Sequence, residues 1–196
     1  MRFLALALLL VPLQAMGGAQ LDEPIDPVVL QTLTAQIADK SVPQLNFKDA
    51  VAGQRWLAAM DERLARRIPD RKQRLELLKT VQYEATRAAL DPQLVLGLIE
   101  VESGFRKYAI SSATARGYMQ VMPFWTRMFK RPRDNLFQLR INLRYGCVIL
   151  RYYLDLEKGD YFRALGRYNG SLGREEYPRS VLGAWKVRWG YAGATS

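Results

Sequence analysis

The chain has 196 residues, a formal net charge of +10, 49% hydrophobic and 24% charged residues, which is ordinary for a folded protein and long enough for one domain with a sizeable core. It has no histidine and one cysteine, so His-based triads, His-containing metal sites, imidazole proton shuttles and an internal disulfide are all excluded. Acid–base chemistry then falls to carboxylates, tyrosine or lysine, and no metal or other cofactor is expected. The basic balance favours anionic partners. Its charges are scattered along helices, as at Arg63, Arg66, Arg67, Arg71, Lys72 and Arg74. They form no basic tail and no nucleic-acid motif, so nucleic acid is not an expected partner.

Residues 1–19 read as a secretory signal peptide. Arg2 is the charged end, Phe3 to Val11 is apolar but too short to span a bilayer, and Gly17 and Ala19 are the small residues before a cut after Ala19. A cut after Ala15 also fits the pattern. No cysteine follows the apolar run, so the expectation is an exported, periplasmic, soluble protein that is not a lipoprotein.

Residues 20–76 read as an N-terminal helical extension, and residues 77–196 as the main domain. A helix is predicted over Pro27–Ala38 with Asp26 as its cap, then a loop at Ser41–Gln44. A second helix is predicted over Asp49–Ile68, with Trp56, Leu57, Met60, Leu64 and Ile68 at helical spacing, and a third over Arg71–Leu90. Beyond the centre of the chain the pattern predicts a short helix after Pro123 and a long one over Leu136–Lys158. A helix capped by Asp160 runs through Tyr168, and a last one spans Pro178–Trp189. Cys147 lies in an apolar helix and reads as a buried structural thiol. Period-2 alternation is nowhere sustained, so the predicted class is all-α with little or no strand.

The most informative helix begins after Asp91, a good N-cap, with Pro92 in the first turn. Leu94, Val95, Leu98, Ile99 and Glu102 share one stripe, and Gly104 is the predicted C-cap. A carboxylate on the buried face in the last helical turn has its pKa raised by desolvation and by the negative end of the helix dipole. That suits a general acid. Glu100 points to another face.

Glu102-Ser103-Gly104-Phe105, followed by Ser111-Ser112-Ala113-Thr114-Ala115-Arg116-Gly117-Tyr118-Met119-Gln120-Val121-Met122-Pro123, resembles the lytic transglycosylases with the goose-type lysozyme fold. Thr114 stands where that family has Gly, and Tyr118 where it has Leu. Asn142 to Gly146 resembles a further family segment. Ala164-Leu165-Gly166-Arg167-Tyr168-Asn169-Gly170 resembles its Tyr-Asn motif, with Arg167 where Ala is common and Gly170 one place early. The resemblance covers roughly Leu77 to Trp189 and implies a lysozyme-like fold.

It also implies cleavage of peptidoglycan glycan strands by a single acid, without metal. Glu102 would protonate the oxygen between N-acetylmuramic acid and N-acetylglucosamine. It would then take a proton from the 6-hydroxyl that closes a 1,6-anhydro ring. Catalytic roles fall on Glu102 and on Tyr168, whose hydroxyl is expected near Glu102. Substrate-binding roles fall on Ser103, Ser111, Met119, Gln120, Met122 and Asn169. Glu175 or Glu176 with Tyr177 is a weak match to an acidic cleft residue of the family. The alternatives are a hydrolase of the same fold, with a second carboxylate and water, and an inactive wall-binding module. A monomer is expected, with a cell-wall or secretion machine as a candidate further partner.

Overall fold

The computed structural model describes residues 20, 24–39, 41–45, 47 and 49–192. The predicted signal peptide lies outside them. Among the described residues there are eight α-helices and no named strand. They are α1 (Pro27–Ala38), α2 (Ala50–Leu64), α3 (Arg71–Arg87), α4 (Pro92–Ser103), α5 (Phe124–Met128), α6 (Leu139–Leu156), α7 (Tyr161–Asn169) and α8 (Glu176–Gly183). A π-helical segment, Ala184–Arg188, continues α8. The all-α expectation holds. Extended pairing is limited to isolated bridges of Arg116 with Ile110 and with Val121.

The helix starts follow their caps. The carboxylates of Asp26, Asp49, Asp70, Asp91 and Asp160 each accept from backbone N–H groups of the first turn of their helix, satisfying donors that the helix itself leaves unpaired. Several ends differ from the periodic reading. The second helix stops at Leu64 rather than Ile68, because Arg67 and Ile68 turn back onto the Leu64 carbonyl ahead of Pro69. The long helix starts at Leu139 rather than Leu136. Tyr177 and Pro178 lie inside α8, which begins at Glu176.

Helix α4 occupies the centre, packed against α3, α8 and the π-helical segment. Leu94, Val95, Leu96, Leu98 and Ile99 are fully buried, each worth about 1.5–3 kcal/mol of apolar burial. A single hydrophobic cluster joins Leu33 and Ile37 of α1 and Trp56, Met60 and Leu64 of α2 to α4, α6 and α7. The helices before residue 77 therefore share the core of the rest, and residue 77 itself lies inside α3. A buried ion-pair cluster seams α1, α3 and α6. Glu84 takes Arg144 at 3.0 Å and Arg87 at 3.2 Å, while Arg87 also reaches Asp39 at 3.3 Å. Cys147 is free and buried, as expected, and burial pushes its thiol pKa up.

Candidate active site

Helix α4 delivers Glu102 one residue before its end. Gly104 caps the helix in the left-handed conformation, φ 57°, which costs a glycine little. The chain therefore turns sharply after Ser103, and Glu102 stays on the buried side. Glu102 is 7% exposed. Desolvation raises its carboxyl pKa from 4.5 to about 8, opposed only by a hydrogen bond from Tyr177. The Tyr177 hydroxyl donates to Glu102 Oε1 at 2.5 Å. At neutral pH the carboxyl is protonated and ready to donate.

The loop after Glu102 is tied to α4 and α6 by named hydrogen bonds. The buried Ser103 hydroxyl donates to the Ile99 carbonyl at 3.1 Å or the Tyr118 carbonyl at 2.8 Å. Asn142, fully buried on α6, accepts from Met119 N–H at 2.8 Å and donates to the carbonyls of Arg116 and Leu136 at 2.8 and 2.9 Å. Met119 lies flat on α6 over Gly146. A Cβ at residue 146 would sit 2.3 Å from the Met119 sulfur, so the glycine is required by close approach. Gln120 has φ 48° and bonds through Nε2 to the carbonyls of Ala109 and Gly117 at 3.2 and 2.9 Å. Thr114, in place of the family's glycine, has φ 70°, the conformation a glycine would hold without strain.

Several expected site residues serve this scaffold. Tyr168 is buried, and its hydroxyl donates to the Met119 carbonyl at 2.8 Å. The hydrogen bond to Glu102 expected of it comes instead from Tyr177. The reason is geometric: α7 carries Tyr168 under the Met119–Val121 segment, whereas α8 packs on α4 and brings Tyr177 across the end of that helix. Tyr168 still lies close enough to Glu102 for that charge to raise its own pKa, after burial, the main cause. Ser103, at 1%, and Met119, at 0% exposure, lie in the core beneath the site. Gln120 and Asn169 are also buried. Ser111 is half-buried, and its hydroxyl accepts from Ala115 N–H at 3.1 Å. Met122 is half-buried.

Gln20 completes the surroundings. The Gln20 carboxamide oxygen accepts from Trp125 Nε1 at 2.8 Å and from Met122 N–H at 3.3 Å, and its side chain also hydrogen-bonds Tyr168. Neither Gln20 nor the Tyr177–Glu102 bond is signalled by spacing, since 75 residues separate Tyr177 from Glu102.

The other carboxylates have different work. Glu100 binds Arg67 at 2.6 Å, Arg188 at 2.9 Å and Trp189 Nε1 at 2.6 Å. Asp91 caps α4 and accepts from Trp185 Nε1 at 2.9 Å. Glu175 pairs with Arg179 at 2.7 Å on the surface, and Glu176 is exposed. Among the described residues no cluster of three or more carboxylate or thiol groups is placed to hold a metal ion.

A family model described as Transglycosylase SLT domain matches residues 79–180, just over half of the chain. A stretch of 48 residues is 48% identical to the membrane-bound lytic murein transglycosylase C of Actinobacillus pleuropneumoniae serotype 5b, covering 24% of this chain and 13% of that protein. The protein of the same name from Glaesserella parasuis is 42% identical over 87 residues, covering 40% of this chain and 24% of that protein. The chain thus spans only a small part of the curated relatives it matches. Among solved structures, an inactive mutant of the lytic transglycosylase Slt from Pseudomonas aeruginosa superposes with a TM-score of 0.51 at 19% identity, covering 89% of this chain and 38% of that one. At that identity the likeness concerns the fold, which is the lysozyme-like one expected.

Proposed function

Since the chain belongs to the transglycosylase SLT domain family, we propose that it is a lytic transglycosylase of peptidoglycan with Glu102 as its single acid and base. The observation that carries this reading is a carboxyl buried on α4, pushed up to about 8 by desolvation, with the Tyr177 hydroxyl on it. Protonated Glu102 gives its proton to the glycosidic oxygen between N-acetylmuramic acid and N-acetylglucosamine as that bond breaks. The carboxylate left behind keeps the Tyr177 hydrogen bond, which favours the charged form. It then takes the proton of the 6-hydroxyl of the same muramic residue, whose oxygen closes the 1,6-anhydro ring. The carboxyl ends as it began, and neither water nor a metal takes part. Attack within one sugar has the entropic advantage of proximity.

A hydrolase needs a second carboxylate to activate water. Glu100 is held by two arginines and an indole, and Glu175 and Glu176 stand at the surface, which supports the non-hydrolytic route. The mature chain works outside the cytoplasm, where its substrate lies. The leader-like residues 1–19 support this, and none of the described helices is long and apolar enough to cross a membrane. The test is the mass of fragments released from purified sacculi. Anhydromuramic ends support the proposal, and reducing ends alone contradict it.

A further inference from the structure

Separate from the residues around Glu102, a pocket of about 360 Å³ opens between the end of α1, the Arg131–Asp134 turn and the first turn of α6. Its charged lining is Arg131, Arg140 and Arg144 against Asp39 and Asp134. The acids are already engaged. Arg131 grips Asp134 through Nε at 2.6 Å and Nη2 at 3.2 Å. Arg87 reaches Asp39, and the buried Glu84 behind the wall is taken by Arg144 and Arg87.

Arg140 is held more loosely. Its Nε lies 3.9 Å from Glu84 Oε1, a long ion-pair distance that is beyond hydrogen-bond reach. Nε and Nη2 are buried without a hydrogen-bond partner, while the side chain as a whole is 33% exposed. Among the described residues, four arginines, at 87, 131, 140 and 144, face three acids, at 39, 84 and 134, one more positive charge than negative.

A second feature has the same sign. Gln138, also on the pocket wall, precedes the 18-residue helix α6 and makes no side-chain capping bond to it. The first-turn N–H groups have no acceptor within the helix and carry the positive end of its dipole.

We propose that this pocket binds a small oxyanion, a carboxylate or a phosphate, held by the Arg140 guanidinium and the N-terminal turn of α6. Both groups suit a planar guanidinium fork. The α1 wall gives the N-terminal helices a role beyond packing, since Asp39 and its neighbours close the pocket on one side.

The test is calorimetric titration of the full chain with two probes, inorganic phosphate and D-alanyl-D-alanine, in chloride buffer of matched ionic strength. Wild type and Arg140→Gln are compared, with a melting curve of each to establish folding. The expected result is saturable one-to-one binding of at least one probe, weakened roughly ten- to hundredfold in Arg140→Gln. Preference for phosphate or for the dipeptide tells which oxyanion the site takes. If Arg140→Gln does not fold, Arg140→Lys replaces it, keeping the charge without the fork, and weaker binding is again expected. No saturable binding of either probe, or wild-type affinity in the folded variant, overturns the proposal.

Discussion

The Tyr177 hydroxyl and Glu102 Oε1 meet at 2.5 Å across the junction of α8 and α4, and this bond opposes the desolvation that raises the carboxyl pKa. Tyr177 is therefore a positioning residue for the proposed acid. In Tyr177→Phe the carboxyl loses its donor and its pKa rises further. A hydrogen bond to a charged group is worth about 1.5–3 kcal/mol, so turnover should fall roughly ten- to hundredfold. The alkaline limb of the pH–rate profile should also move to higher pH. A profile of rate against pH for the folded variant checks both effects, and a lower rate with an unmoved limb would make Tyr177 merely structural.

Tyr168 is expected to behave differently. Its hydroxyl satisfies the buried Met119 carbonyl, so Tyr168→Phe strands that acceptor at a cost of roughly 1–3 kcal/mol. Chemical denaturation should show this loss of stability. Turnover of the folded fraction should fall less than in Tyr177→Phe. A greater loss of turnover with unchanged stability would return Tyr168 to the catalytic role that the motif suggests.

Thr114 carries backbone strain at φ 70°, in a region that disfavours side chains branched at Cβ. Thr114→Gly should stabilise the protein by roughly 1 kcal/mol, after some loss to the greater freedom of glycine when unfolded. The midpoint of urea unfolding reads this directly, and a lower midpoint would show that the threonine side chain contributes more than its strain costs.

Burial of Glu102 also has a signature in stability. The native carboxyl holds its proton up to about pH 8, whereas the ordinary value is 4.5. Between these values the native state binds a proton that the unfolded state has released, so stability falls as pH rises through the window. Glu102→Gln lacks this dependence. The stability advantage of the variant should be small near pH 4.5, grow towards pH 8 and level off above it. Its full size is on the order of a few kcal/mol. Thermal unfolding of both proteins across that range tests the slope, and a difference that does not change with pH would mean that Glu102 titrates normally.

Much of this was legible in the sequence. Asp91, Pro92 and Gly104 mark both ends of α4, and the stripe through Leu94 and Leu98 puts Glu102 on its buried face. Local periodicity and capping decide these features, and they survive folding. What surrounds Glu102 was less legible, because it depends on which distant helices pack against the end of α4. The tyrosine of the Tyr-Asn motif, Tyr168, turns to Met119, and Tyr177 comes in from α8. Met119 and Ser103 sit beside cleft positions in the motif, but Ser103 closes α4 with its hydroxyl on backbone carbonyls and Met119 packs on α6 over Gly146, so both are buried. Gln20 was silent for the same reason, since nothing local links it to Trp125 and Met122.

The central claim is that one carboxyl performs both proton transfers, and Glu102→Gln tests it most directly. The variant keeps the size of the side chain and removes its acidity. Release of anhydromuropeptides from purified sacculi should be measured beside wild type, with sacculus binding as the control for an intact cleft. General acid–base help is worth ~10²–10⁴-fold, and with no second carboxylate acting on Glu102 among the described residues the loss should lie at the upper end while binding persists. Substantial anhydro product from a folded, binding Glu102→Gln protein would contradict the account and place the reacting acid elsewhere.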